Sequence, residues 1–136
     1  MGASIVVKVR STEIDRMGHL NHAKYLEYME WSRGEWLSDC HLSPRVLDAK
    51  GLGVAVVHVR IDYHREIHVD QRLQVTTHPL RTGRTSFTVK NEILDVQGEC
   101  MSVAEVVSVL LDLKMRCAVP LLPELRAAFG SSDRVP

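Results

Sequence analysis

Apolar and polar positions change period along this chain. Ile5 to Arg10 alternate and are rich in β-branched side chains, the pattern of a half-buried strand. A polar cluster follows, and from His22 to about Asp39 the spacing becomes helical. Tyr25, Met29, Ser32 and Trp36 fall on one stripe, flanked by Leu26, Trp31 and Leu37, which predicts one helix of roughly five turns. Asn21 is a good N-cap, although Lys24 stands where Glu or Gln would close a capping box. After a loop containing Pro44, Gly51 and Gly53, the pattern turns to strand and stays there. GVAVVHVRIDYH predicts strand two, with Val54, Val56, His58, Arg60 and Asp62 on one face and Ala55, Val57, Val59, Ile61 and Tyr63 on the other. RLQVTTHPL and TSFTVKNEILDV predict a hairpin around Thr82 and Gly83. MSVAEVVSVLLDLKM, nearly apolar on both faces, suits a strand inside a covered sheet. A short helix near Leu121 to Ala128 closes the pattern, with Pro120 and Pro123 fitted to its first turn.

Strand, long helix, then four strands on tight turns is an α+β layout, in which a five-stranded antiparallel sheet uses the helix as its cover. A chain of 136 residues is most simply one domain, expected over 1–129, with a small polar tail over 130–136. Seventeen basic side chains balance seventeen acidic ones, so no overall field gathers nucleic acid or an anionic membrane. Three cysteines at long spacings, Cys40, Cys100 and Cys117, fit neither a disulfide framework nor a zinc site; reduced thiols in the cytoplasm are the simpler reading. The N-terminus meets Lys8 and Arg10 after a short apolar run and is expected to be neither a signal peptide nor a membrane span.

The chemistry concentrates in DRMGHLNHAKYLEYME, from Asp15 to Glu30. Residues 15–22 precede a helix whose first-turn N–H groups are unpaired and carry the positive end of the dipole. A carboxylate facing those groups across one carbonyl is the arrangement that acyl transfer needs.

The run from Asp15 to Arg33 resembles the signature of the hotdog-fold acyl-CoA thioesterases, in the 4-hydroxybenzoyl-CoA thioesterase and YbgC/FadM-like branch. Asp15, Gly18, His19, Asn21, Tyr25, Tyr28, Glu30 and Arg33 stand in its places. IDYHREIHVDQRLQV and GRTSF look similar to weaker family segments. The resemblance implies a hotdog fold, a five-stranded antiparallel sheet wrapped around one long central helix, and hydrolysis of short- to medium-chain or aromatic acyl-CoA. It implies Asp15 as nucleophile or general base, the N–H of His22 as oxyanion donor, and Gly18 and Asn21 as the residues that shape the loop and cap the helix. The His22 imidazole would orient water or protonate the thiolate. Tyr25, His19 and His58 are candidate substrate contacts, and Arg84, Thr85 and Ser86 a phosphate neighbourhood for CoA, with Lys114 and Arg116 as a second clamp.

Each has a plainer alternative. Asp15 can be a turn residue, His19 structural, Tyr25 core packing, Glu30 and Arg33 a helical ion pair, and His58 part of a subunit seam. Because another thioesterase branch carries its acid on the helix, Glu30 stands in reserve as catalyst. No metal and no separate cofactor is expected, CoA being part of the substrate. An acyl-carrier-protein thioesterase and a non-catalytic acyl-CoA-binding protein are the competing functions. The family implies a homodimer joined through its sheets, with tetramers stacked from such pairs.

Overall fold

The computed structural model describes residues 2–130. β1 (Ala3–Lys8) leads through a single 3-10 turn (Ser11–Glu13) and a tight loop into α1 (His22–Asp39). Then come α2 (Pro44–Ala49), β2 (Leu52–Tyr63), β3 (Arg72–Thr82), β4 (Ser86–Leu94), β5 (Cys100–Asp112), β6 (Cys117–Ala118) and α3 (Pro123–Ala127). All strands join one antiparallel sheet in the order β1-β3-β4-β5-β2, with β6 pairing β5. The sheet therefore has a sixth, two-residue strand beyond the five expected. Beyond Gly130, the expected polar tail lies outside the described residues.

The helical stripe read from the sequence is the stripe that is buried. Tyr25, Tyr28, Met29, Ser32 and Trp36 face inward, and α1 packs mainly on β1, β3 and β4. Asn21 caps the helix, its Oδ1 accepting from Ala23 N–H at 2.9 Å. The loop expected around Pro44 contains α2, capped by Ser43, whose Oγ accepts from Val46 N–H at 3.3 Å. Six residues give too little periodicity to show in sequence, although Ser43 followed by Pro44 is a helix start.

Strand β2 corrects the two-face reading of its sequence. Val56 pairs Ser108 and His58 pairs Val107, so Val57 is an extra residue and the ladder shifts by one. Directly paired residues share a face, and Ala104, Val106, Ser108 and Leu110 of β5 are buried on the α1 side. Val54 and Val56 before the bulge, and Val59, Ile61 and Tyr63 after it, consequently share the α1 face. His58, Arg60 and Asp62 lie on the opposite face. The bulge keeps the apolar side of β2 on one surface along its whole length.

Beneath the middle of α1 runs a buried polar chain. Arg33 Nη1 donates to Asn91 Oδ1 at 3.0 Å, and Asn91 Nδ2 donates to Thr76 O at 3.0 Å and Thr77 Oγ1 at 2.8 Å. Thr77 Oγ1 meets Ser32 Oγ at 2.8 Å, and Ser32 Oγ donates to Val75 O at 3.1 Å. Burial lowers the Arg33 pKa from its ordinary value while the Glu30 charge opposes that shift. Asn91→Leu is expected to destabilise the fold by about 3 kcal/mol, because it strands a guanidinium and a hydroxyl beneath the helix. A urea-denaturation loss below about 1 kcal/mol would show that the chain contributes little.

Candidate active site

Asp15 stands at the base of a small hairpin. Ile14 and Leu20 form an isolated bridge, Asp15 N–H donates to His19 O at 2.9 Å, and Gly18 N–H donates to Asp15 O at 3.1 Å. Gly18 has φ +88°, a left-handed conformation that favours glycine, and this lets the chain reverse in so few residues. Asp15 Oδ1 accepts from Met17 N–H at 2.9 Å and, more weakly, from His19 N–H at 3.5 Å. The carboxylate is thus aimed by its own loop, while the side chain stays partly open to solvent.

Three bonds hold the end of this loop and the helix start in place. Leu20 N–H donates to Ile67 O at 2.7 Å, Asn21 N–H donates to Glu13 O at 3.0 Å, and Lys24 N–H donates to Asn21 O at 2.9 Å. Asn21 Oδ1 holds Ala23 N–H. The first-turn donors on either side of His22 are therefore satisfied, whereas the His22 N–H has no acceptor among the described residues. One donor is left free at the positive end of an 18-residue helix.

The two histidines divide in an order the sequence did not suggest. His19 Nδ1 lies 3.5 Å from Asp15 Oδ2 and 3.5 Å from Leu20 O, so this ring is the one brought to the carboxylate. The His22 side chain is exposed, and its carbonyl accepts from Tyr63 Oη at 3.3 Å. Tyr25 is buried beside the same place, donating from Oη to Arg65 O at 3.1 Å and meeting the Tyr63 ring edge-on at 4.9 Å. Burial raises the pKa of both Tyr25 and Tyr63, and for Tyr25 the charges of Tyr63, Glu66 and Asp15 add to that rise, so both hydroxyls stay protonated donors. Tyr28 supports the mouth from below: its Oη donates to Glu13 Oε1 at 2.7 Å, and the same oxygen accepts from Arg10 N–H at 2.9 Å. Tyr63 and Glu13 escaped the sequence reading because their roles arise from contacts with α1 across long stretches of chain.

Other expected site residues lie elsewhere. Glu30 is exposed two turns down α1, ~12 Å along the axis from His22. His58 is on the face of β2 away from α1. Arg84, Thr85 and Ser86 form the β3–β4 connection, where Arg84 O accepts from Leu121 N–H and Arg126 Nη2, and Thr85 O accepts from Leu110 N–H. Through the ladders Ser86 is level with Ala55, ~26 Å along β2 from Tyr63. Within one chain, this connection does not adjoin Asp15. Lys114 and Arg116 lie in the turn between β5 and β6. The Cys40 thiol is pushed up to about 11, chiefly by burial, and stays protonated at neutral pH.

A carboxylate held by its own loop, a few residues before a helix start with one free N–H, is an arrangement of the kind that acyl transfer uses. The Thioesterase-like superfamily matches residues 9–129, and the chain belongs to that family; it is a thioester hydrolase. It is 29% identical over 121 residues to the long-chain acyl-CoA thioesterase FadM of Escherichia coli (strain K12), covering 88% of this chain and 91% of FadM. It is 28% identical over 111 residues to the acyl-CoA thioester hydrolase YbgC of Escherichia coli O6:H1, covering 81% of this chain and 83% of YbgC. Among solved structures, Slr0204, a 1,4-dihydroxy-2-naphthoyl-CoA thioesterase from Synechocystis, superposes with a TM-score of 0.86 at 22% identity, over 99% of this chain and 100% of that one. These neighbours share the hotdog fold. No helix among the described residues is long and apolar enough to cross a membrane.

Proposed function

We propose that the protein hydrolyses acyl-CoA thioesters to the free acid and CoA, with Asp15 as the catalytic carboxylate. The observation that carries this is the free His22 N–H at the helix start into which the Asp15 loop leads, with the Asp15 carboxylate held in place by that loop. The thioester carbonyl accepts from that N–H, and the helix dipole stabilises the oxyanion as the carbonyl carbon becomes tetrahedral. Asp15 either removes a proton from the water that attacks this carbon, or attacks it directly to give an acyl-aspartyl anhydride that water then hydrolyses to the free acid and the restored carboxylate. In both routes the C–S bond breaks, and the thiolate leaves to be protonated by solvent or a nearby donor. Thiolates leave readily, so no strong acid is required at that step. The names of FadM and YbgC support an acyl-CoA substrate, and CoA arrives as part of that substrate, with no separate cofactor.

The complete enzyme in this proposal is a homodimer. Two copies join antiparallel through β2, so that α1 of each becomes a central helix over its half of a continuous sheet. Antiparallel pairing reverses the ends of the partner sheet and brings its β3–β4 connection to the end where Asp15 lies. CoA phosphates then meet Arg84, Thr85 and Ser86 across the subunit boundary.

The test is release of free thiol from aliphatic and aromatic acyl-CoA esters and from the same acyl groups on acyl-carrier protein. Turnover of CoA esters is expected. Turnover of carrier-protein thioesters alone would move the assignment to that substrate class, and binding without turnover of either would make the protein an acyl-CoA-binding module.

A further inference from the structure

Gly34 sits in the interior of α1, where glycine is a weaker helix former than alanine. Nothing in the chain itself asks for it: its φ is not left-handed, and a Cβ built there meets no atom within 4 Å. The missing side chain leaves room for something other than this chain's own packing. Gly34 opens on a cavity of about 200 Å³ between α1 and the uncovered half of the sheet. Leu37, Val54, Val56 and Phe87 supply its apolar walls, and Trp36 also borders it. Glu30 and Arg33 also border it, but the Arg33 guanidinium is tied toward the sheet by Asn91.

The apolar face of β2 runs from this cavity to the candidate active site. β2 runs beside α1 with Tyr63 at His22 and Val54 and Val56 level with Gly34 and Leu37. Because of the bulge at Val57, Val59 and Ile61 fill in the same apolar face between those ends. From His22 to Gly34 the helix covers ~18 Å, the reach of a long fatty-acyl tail and well beyond a single aromatic ring attached to the carbonyl. Trp36 is 2% exposed and braced by Phe87 and Phe129, at centroid distances of 6.0 and 5.7 Å. On its other side lies a second, mostly separate cavity of about 380 Å³, bordered by Cys40, Ala127 and Ala128.

The geometry points to a long-chain acyl tail lying along the α1–β2 groove, admitted by the missing side chain of Gly34 and stopped by the Trp36 indole. This rests on the thioesterase reading above and adds to it a substrate class and two residues that set its length. Trp36 is a partition between two cavities, so shrinking it lengthens the tail the groove accepts, whereas filling Gly34 shortens it.

The test compares kcat/KM across butyryl- to stearoyl-CoA for the intact protein, Gly34→Leu, Trp36→Leu and the control Glu35→Leu on the other side of the helix. Gly34→Leu is expected to lower the palmitoyl-to-butyryl ratio at least tenfold, and Trp36→Leu to raise the stearoyl-to-palmitoyl ratio several-fold. Glu35→Leu should leave both ratios as they are. Gly34→Leu improves helix propensity, so misfolding does not confuse its result. An equal loss at every chain length, or a shift of Gly34→Leu to monomer in sedimentation, would overturn the inference and make the groove a subunit contact. A non-hydrolysable long-chain alkyl-CoA thioether, titrated by Trp36 fluorescence in a Trp31→Phe background, separates the two readings. Length-dependent binding in a protein without turnover supports the groove while the hydrolytic reading fails. No length dependence in a protein that cleaves palmitoyl-CoA overturns the groove alone.

Discussion

Asp15→Asn is expected to lower kcat by about 10²–10⁴-fold with little change in KM. The amide keeps the shape of the carboxylate and still accepts from Met17 N–H, which holds the side chain in place at 2.9 Å in the intact protein. It has neither the charge to activate water nor the nucleophilicity to attack. Because the loop is otherwise fastened through Leu20, Asn21 and Gly18, stability should stay within about 0.5 kcal/mol. Binding of a non-hydrolysable CoA thioether checks that the substrate site survives. Equal turnover by Asp15→Asn and the intact protein would remove Asp15 from the mechanism and direct the same substitution to Glu30, which borders the groove two turns further along α1.

The helix start was legible in the sequence because its determinants are local. Asn21 caps within two residues, and the buried stripe of α1 follows directly from helical spacing. The signature from Asp15 to Arg33 was legible for the same reason, since loop, cap and first turns are continuous in the chain. The division between His19 and His22 was not. Which ring meets the carboxylate depends on a reversal closed by Gly18 at φ +88° and by the Asp15–His19 backbone bond, and both residues look alike in a string of letters.

Strand β2 shows the opposite limit. Alternation alone put His58 on the face of Val56, but a bulge is a property of two paired strands, fixed here by Val56 against Ser108 and His58 against Val107. Gly34 is similar: within the helical pattern it is only a weak residue, and it gains meaning from a cavity whose other wall is twenty residues away on β2. Arg84, Thr85 and Ser86 form the extreme case. They lie far from Asp15 within one chain, and only in the proposed dimer would the partner's copies come to that end of the sheet.

That second chain gives the other large expected effect. β2 ends the sheet, is twelve residues long, and exposes Val56, Val57 and Val59, with Val57 58% exposed at the bulge. A long apolar edge of this kind is an aggregation hazard unless paired, and a two-fold contact of β2 on β2 pairs it with a copy of itself. Val57→Asp with Arg60→Asp, the latter on the face of β2 away from α1, places four carboxylates near one axis of such a dimer, where like charges on facing strands repel. Both side chains are exposed in the single chain, so the fold should persist, as circular dichroism would show. Sedimentation at micromolar concentration is expected to find a dimer for the intact protein and a monomer for the double variant. Turnover should fall at least tenfold with the loss of the dimer, although Asp15 and the His22 N–H are untouched, because CoA loses the partner's Arg84. An intact protein that sediments as a monomer and still cleaves acyl-CoA at full rate would instead put the whole site, CoA contacts included, within one chain.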